Sequence, residues 1–117
     1  MSDIKRIEPG ARMSQAVVHG GVAYLSGQVA LDAGGQSVTA QTTNILGRID
    51  ALLAAAGTDK TKLLSASIWL SDISTFAEMN AVWDAWVAPD CAPARATVES
   101  KLAAPQFTVE IAVIAAL

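Results

Sequence analysis

The sequence predicts an α+β fold: a mixed sheet in the order β-β-α-β-α-β-β with two helices on one face, built from residues 1–117 as a single domain. Three observations carry that expectation. A Gly20-Gly21 pair joins two apolar runs, a helical apolar stripe ends at Gly57, and a strictly alternating segment is followed at once by a second helical stripe.

In chain order, a short strand is expected near Ile4 to Ile7. Ala16–His19 and Val22–Ser26 then form a hairpin, because two glycines accept the positive φ angles of a two-residue turn. Between Gln41 and Ala56, Ile45, Leu46, Ile49, Leu52 and Leu53 recur at helical spacing, and Gly57 is placed to close the helix in the left-handed conformation. Lys62–Ser71 alternates, with Leu64, Ala66, Ile68 and Leu70 on one face and Ser65, Ser67 and Trp69 on the other. Thr75 and Glu78 match a capping box opening a second helix, whose stripe is Phe76, Met79, Trp83, Trp86 and Val87. Ala88-Pro89 ends it, since a residue before proline is biased away from the helical region. Two strands follow, about Arg95–Lys101 and Phe107–Ala115, with Ala103-Ala104-Pro105 as the turn between them.

Composition narrows the function classes. Eight Lys and Arg against eleven Asp and Glu give a net charge of −3, and no basic run exists, so no nucleic-acid partner is expected. The first six residues lack a leader's apolar stretch, and no apolar run approaches the ~18 residues of a membrane span, so no membrane partner and a cytoplasmic location are expected. Cys91 and His19 are each the single residue of their type, whereas zinc needs three or four converging ligands, so no metal site is expected. Gly20-Gly21 and Gly34-Gly35 match neither nucleotide-binding fingerprint, and no cofactor is expected. The chain is 52% hydrophobic and only 16% charged, with mean hydropathy +0.38, an apolar surplus that points to a subunit interface. Two helices cover one sheet face; a second chain is the simplest cover for the other.

Several residues are candidates for chemistry. Alternation puts Glu110 on the side of Ala112 and Ile114, where desolvation would raise its pKa towards the range of a general base. A solvated edge or an ion pair would leave it an ordinary carboxylate. Arg95 leaves the Pro93-Ala94 turn on the side of Thr97 and Glu99; it suits a bidentate grip on a carboxylate, or pairing with Glu99. Asn80 falls inside an apolar stripe, where its amide would tie down backbone or meet a ligand. Ser26 is placed to donate to a ligand, but nothing beside it supports a Ser/His/Asp triad. His19 reads as an exposed turn residue, the three tryptophans as core or interface, and Cys91 as an unactivated thiol.

Taken together, Ser14-Gln15-Ala16-Val17, Tyr24-Leu25-Ser26-Gly27-Gln28, Leu53-Ala54-Ala55-Ala56-Gly57, Met79-Asn80-Ala81-Val82-Trp83, Pro93-Ala94-Arg95-Ala96-Thr97-Val98 and Val109-Glu110-Ile111 resemble the RidA (YjgF/YER057c/UK114) family over nearly the whole chain. The resemblance implies a chorismate-mutase-like fold assembled as a homotrimer with three intersubunit clefts. It implies cofactor-free hydrolysis of reactive 2-imino acids, or their enamine tautomers, to 2-keto acids and ammonia. Carried residue by residue, Arg95 falls on the family's substrate-carboxylate arginine and Glu110 on the glutamate that positions water. Ser26 and Asn80 fall on cleft positions, and Gly27 on a glycine whose backbone approaches the ligand. Two positions depart from the pattern: Met13 stands where an aromatic residue, commonly tyrosine, is usual, and Thr97 where cysteine is. The first removes a polar contact, whereas the second keeps the backbone carbonyl through which that position is thought to act. A non-catalytic trimeric carboxylate-binding or chaperone-like protein is the rival reading, and the ribonuclease activity ascribed to some relatives is opposed by the acidic charge.

Overall fold

The computed structural model describes residues 3–117. Met1 and Ser2, the start of the segment read for a leader, lie outside the described residues. The sheet takes the α+β arrangement expected from the sequence, with strands β1 (Lys5–Pro9), β2 (Ser14–His19), β3 (Val22–Leu25), β4 (Gln28–Val29), β5 (Leu63–Leu70), β6 (Ala94–Glu99) and β7 (Val109–Ala116). Its order is β1-β2-β3-β7-β5-β6, with β4 also paired to β7. Every pairing is antiparallel except β5 with β6, the two strands joined through a helix.

The β2–β3 hairpin turns on Gly20 at φ 61° and Gly21 at φ 78°, the positive pair that a two-residue turn of this hand requires. Ser26 lies just past β3 rather than in it. Strand β4, only two residues long, is too short to leave a periodic signal, and the sequence reading missed it.

Helix α1 runs Val38–Ala56, three residues longer at its start than the apolar stripe suggests, because Ser37 caps it by accepting a hydrogen bond from the Ala40 amide. Gly57 closes it at φ 87°, its N–H bonded to the Ala54 and Leu53 carbonyls. The buried polar Gln41 is fully used: its Nε2 donates to the carbonyls of Gln36 and Gln106, and its Oε1 accepts from the Thr108 amide. Those bonds fix the entry to β7 against the helix.

In β5 the expected alternation fails at one end. Register shifts between Leu63 and Ser65, so Leu63 is buried and Leu64 is exposed, while Ala66, Ile68 and Leu70 face the core as expected. Helix α2, Phe76–Trp86, begins where the stripe begins, but not through a capping box. Thr75 makes no side-chain cap, and its hydroxyl donates to the Asp72 carbonyl. Glu78 instead accepts from the Thr39 backbone and hydroxyl at the start of α1, so the pair of residue types that suggested a local cap serves a helix-to-helix contact. Met79 and Trp83 are buried, whereas Phe76 is exposed.

Both helices cover the face that carries Ala16, Ala23, Ala66, Ile68, Val109, Ile111, Val113 and Ala115, with Ile45, Ile49 and Leu53 of α1 and Met79 of α2 fully buried against it. Strand β7 separates the two faces cleanly: Glu110, Ala112, Ile114 and Ala116 are only half-buried on the open side. Tyr24, paired with Ile114, and Val98, paired with Trp69, are also on that side and about half exposed. Part of the apolar surplus of the sequence therefore lies on one uncovered sheet face. Among the described residues no helix is long and apolar enough to cross a membrane.

Candidate active site

Ser26, Gly27 and Glu110 meet where β3 gives way to β4. The Ser26 amide donates to the Gln15 carbonyl at 2.9 Å, and its hydroxyl donates to the Ser14 carbonyl at 2.6 Å. The hydroxyl proton is thus committed to backbone, contrary to the expectation of a donor; its lone pairs are what Ser26 has left to offer a ligand, as an acceptor. Gln28 Nε2 donates to the Ser26 carbonyl and to Gln15 Oε1, both at 3.0 Å, so the corner is braced on both sides. The Glu110 side chain folds across Gly27, and a Cβ at that position would collide with its carboxylate. Gly27 therefore leaves the space the Glu110 carboxylate occupies, rather than supplying a special φ. Met13, exposed, directly precedes Ser14 at this corner.

Burial pushes the Glu110 carboxyl above its usual pKa, in the direction expected of a general base. A raised folded-state pKa stabilises the fold while the group is protonated, and that contribution is lost as pH rises through the raised value. Glu110→Gln, neutral at every pH, is therefore expected to melt above the unsubstituted protein near pH 7, with the difference vanishing once the pH falls below the ordinary glutamate pKa. Melting curves at the two pH values check it.

Arg95 belongs to a second group. Its guanidinium carbon lies 5.2 Å from the Trp83 ring centre and 5.8 Å from that of Phe76. The pairing with Glu99 considered from the sequence is absent: Glu99 Oε1 accepts from the Ile73 amide, and the Arg95 side chain makes no ion pair or hydrogen bond among the described residues. Phe76, Asn80 and Trp83 follow one another at i, i+4 and i+7 on α2, one face of the helix. Asn80 Oδ1 and Thr97 Oγ1 are both buried and without a hydrogen-bond partner among the described residues, so the Asn80 carbonyl does not tie down backbone. Thr97 shares Arg95's side of β6.

The two groups stand on opposite faces of the sheet. One row of the sheet runs Arg95–Ala66–Val113 and another Val98–Trp69–Glu110, and Ala66 and Trp69 are three apart on the same strand. Arg95 thus shares the helix side with buried Val113, while Glu110 points to the open side. A single chain brings Ser26, Gly27 and Glu110 together, and separately Arg95, Thr97 and the Asn80 face of α2, but does not join the two sets. Sequence reasoning missed Phe76 and Trp83 as neighbours of Arg95; their spacing on either side of Asn80 was the available signal, but as an apolar stripe it pointed equally to core or interface.

The model of the family described as "Endoribonuclease L-PSP" matches residues 3–117 of this chain. A "RutC family protein" of Haemophilus influenzae is 46% identical over 112 residues, covering 96% of this chain and 97% of the relative. The chain belongs to the RidA (YjgF/YER057c/UK114) family. The "RutC family protein YoaB" of Escherichia coli is 43% identical, with 97% of this chain and 98% of the relative covered. A crystal structure of a YjgF-family protein from Neisseria meningitidis superposes with a TM-score of 0.94 at 45% identity, over 97% of this chain and 94% of that one. This YjgF-family chain therefore shares the open mixed sheet with two helices of its solved relatives.

Proposed function

We propose that this protein hydrolyses 2-imino acids, or their enamine tautomers, to 2-keto acids and ammonia, in a cleft formed between copies of the chain. The observation that carries the reading is Arg95: a half-buried guanidinium held over two rings, with no carboxylate partner among the described residues, retains its paired donors for the carboxylate of a small substrate. Assembly through the uncovered apolar face, as a homotrimer by family likeness, sets Arg95 of one copy against Ser26, Gly27 and Glu110 of the next.

In that cleft Arg95 orients the substrate through its carboxylate, which fixes the neighbouring C=N carbon relative to Glu110. Glu110 accepts a proton from water as the water oxygen bonds to that carbon. The C=N π electrons pass to nitrogen, which takes up a proton, and the carbinolamine then collapses to the C=O of the keto acid with release of ammonia. Ser26 Oγ, its own O–H hydrogen-bonded to the Ser14 carbonyl, accepts from the imine N–H. Water is the only co-reactant. Because Glu110 works as its carboxylate, turnover is expected to fall as pH drops through its raised pKa.

The test generates 2-iminobutanoate and 2-iminopropanoate in solution with an amino-acid oxidase and traps them as semicarbazones. Less semicarbazone when the protein is present supports the reading. Unchanged trapping for both imines, together with binding of 2-oxobutanoate, leaves a carboxylate-binding protein instead.

A further inference from the structure

We propose that Phe76 and Trp83 are positioning residues for Arg95, a two-ring clamp that holds the guanidinium ready for a substrate carboxylate; the proposal rests on the reading of Arg95 given above. An arginine in a binding site is ordinarily held either by a carboxylate, which occupies its N–H donors, or by nothing, in which case its many rotamers must be frozen when ligand arrives. Arg95 is held in neither way. Its cation sits within contact range of two ring faces, an attraction that leaves the N–H groups unspent. The guanidinium is therefore pre-oriented while keeping the planar pair of donors that a carboxylate requires.

The clamp is built differently on its two sides. Trp83 is 4% exposed and packs at 5.3 Å and 53° against Trp86, whose Nε1 donates to Asp50 Oδ2 of α1 at 3.0 Å. That chain of contacts makes Trp83 a rigid wall fixed to the core. Phe76 is 42% exposed at the first position of α2, outside the buried core, with the Arg95 guanidinium carbon 5.8 Å from its ring centre. An aliphatic side chain of similar size would fill the same space without the ring's negative face, so the ring itself is what the position supplies.

The experiment measures binding of 2-oxobutanoate to the assembled full-length protein by calorimetry, and KM and kcat in the semicarbazone assay. Phe76→Leu is expected to weaken 2-oxobutanoate binding about tenfold and to raise KM more than it lowers kcat, with melting temperature nearly unchanged. Trp83→Phe, which keeps a ring, is expected to hold most of the affinity, and Trp83→Leu to lose it as Phe76→Leu does. The split between Leu and Phe at one position separates positioning from packing, and Phe76→Leu keeps the test informative where Trp83→Leu unfolds. Wild-type affinity and KM in a folded Phe76→Leu protein would overturn the clamp and leave the reading of Arg95 standing. Failure of the unsubstituted protein to bind 2-oxobutanoate would overturn that reading and the clamp with it.

Discussion

Replacing Arg95 with alanine is expected to lower imine hydrolysis by about 10²- to 10³-fold, the loss typical when a charged, preorganised contact to the reacting molecule is removed. The assembly and the melting temperature are expected to change little. The Arg95 side chain makes no ion pair or hydrogen bond among the described residues, so its removal orphans no buried partner. What disappears is one cation over the Phe76 and Trp83 rings, and those rings stay packed by their own contacts. Light scattering and a melting curve check the fold, and the semicarbazone assay checks the chemistry. Arg95→Lys keeps a charge without the planar fork and is expected to recover only a small part of the rate. Wild-type turnover in a folded Arg95→Ala protein would remove Arg95 from the mechanism.

Gly27→Ala is expected to cost activity through a residue it does not replace. The new Cβ would lie 2.9 Å from Glu110 Cδ and 3.2 Å from its Cγ, and closer still to the carboxylate. The obstacle is the end of a flexible side chain, and the Gly27 backbone is open to any residue, so the fold accommodates the methyl group by turning Glu110 aside. The expected result is a melting temperature within a few degrees of the unsubstituted protein and a rate about 10- to 100-fold lower, because a base displaced by an ångström no longer meets the water it must deprotonate. A Gly27→Ala protein with unimpaired turnover would show that Glu110 can work from another position, or does not work at all.

Much of this architecture was legible in the amino-acid order because local rules and the fold agree. The Gly20-Gly21 turn, the Ile45–Leu53 stripe with its Gly57 stop, and the alternation of β7 each specify one geometry, and each is found. Departures have physical causes. The Thr75/Glu78 spacing suits a capping box, but Glu78 finds the free amide of Thr39 at the head of α1, a tertiary partner that no local pattern reveals. The Leu63/Leu64 exchange follows from a register shift imposed by β7, and β4 is held by its pairing with β7 rather than by any signal of its own.

The candidate site was legible residue by residue and illegible as an arrangement. Alternation placed Glu110 on the half-buried side and Arg95 with Thr97, as found. That the two lie on opposite faces depends on the pairing of β5 with both β6 and β7, a non-local fact. Ser26 shows the same limit: its type suggested a donor, and only the neighbouring strand's Ser14 carbonyl shows where its proton goes.

Because Arg95 and Glu110 cannot meet within one chain, their cooperation requires two, and a mixing experiment tests this most directly. Arg95→Ala and Glu110→Gln proteins, each inactive alone, would be unfolded together and reassembled in equal amounts. If each site takes Arg95 from one copy and Glu110 from the next, random assortment in a closed ring leaves about one site in four with both native residues, so roughly a quarter of the unsubstituted imine-hydrolysing rate returns. No recovery in mixed assemblies, with both parents folded and associated, would contradict a site shared between chains.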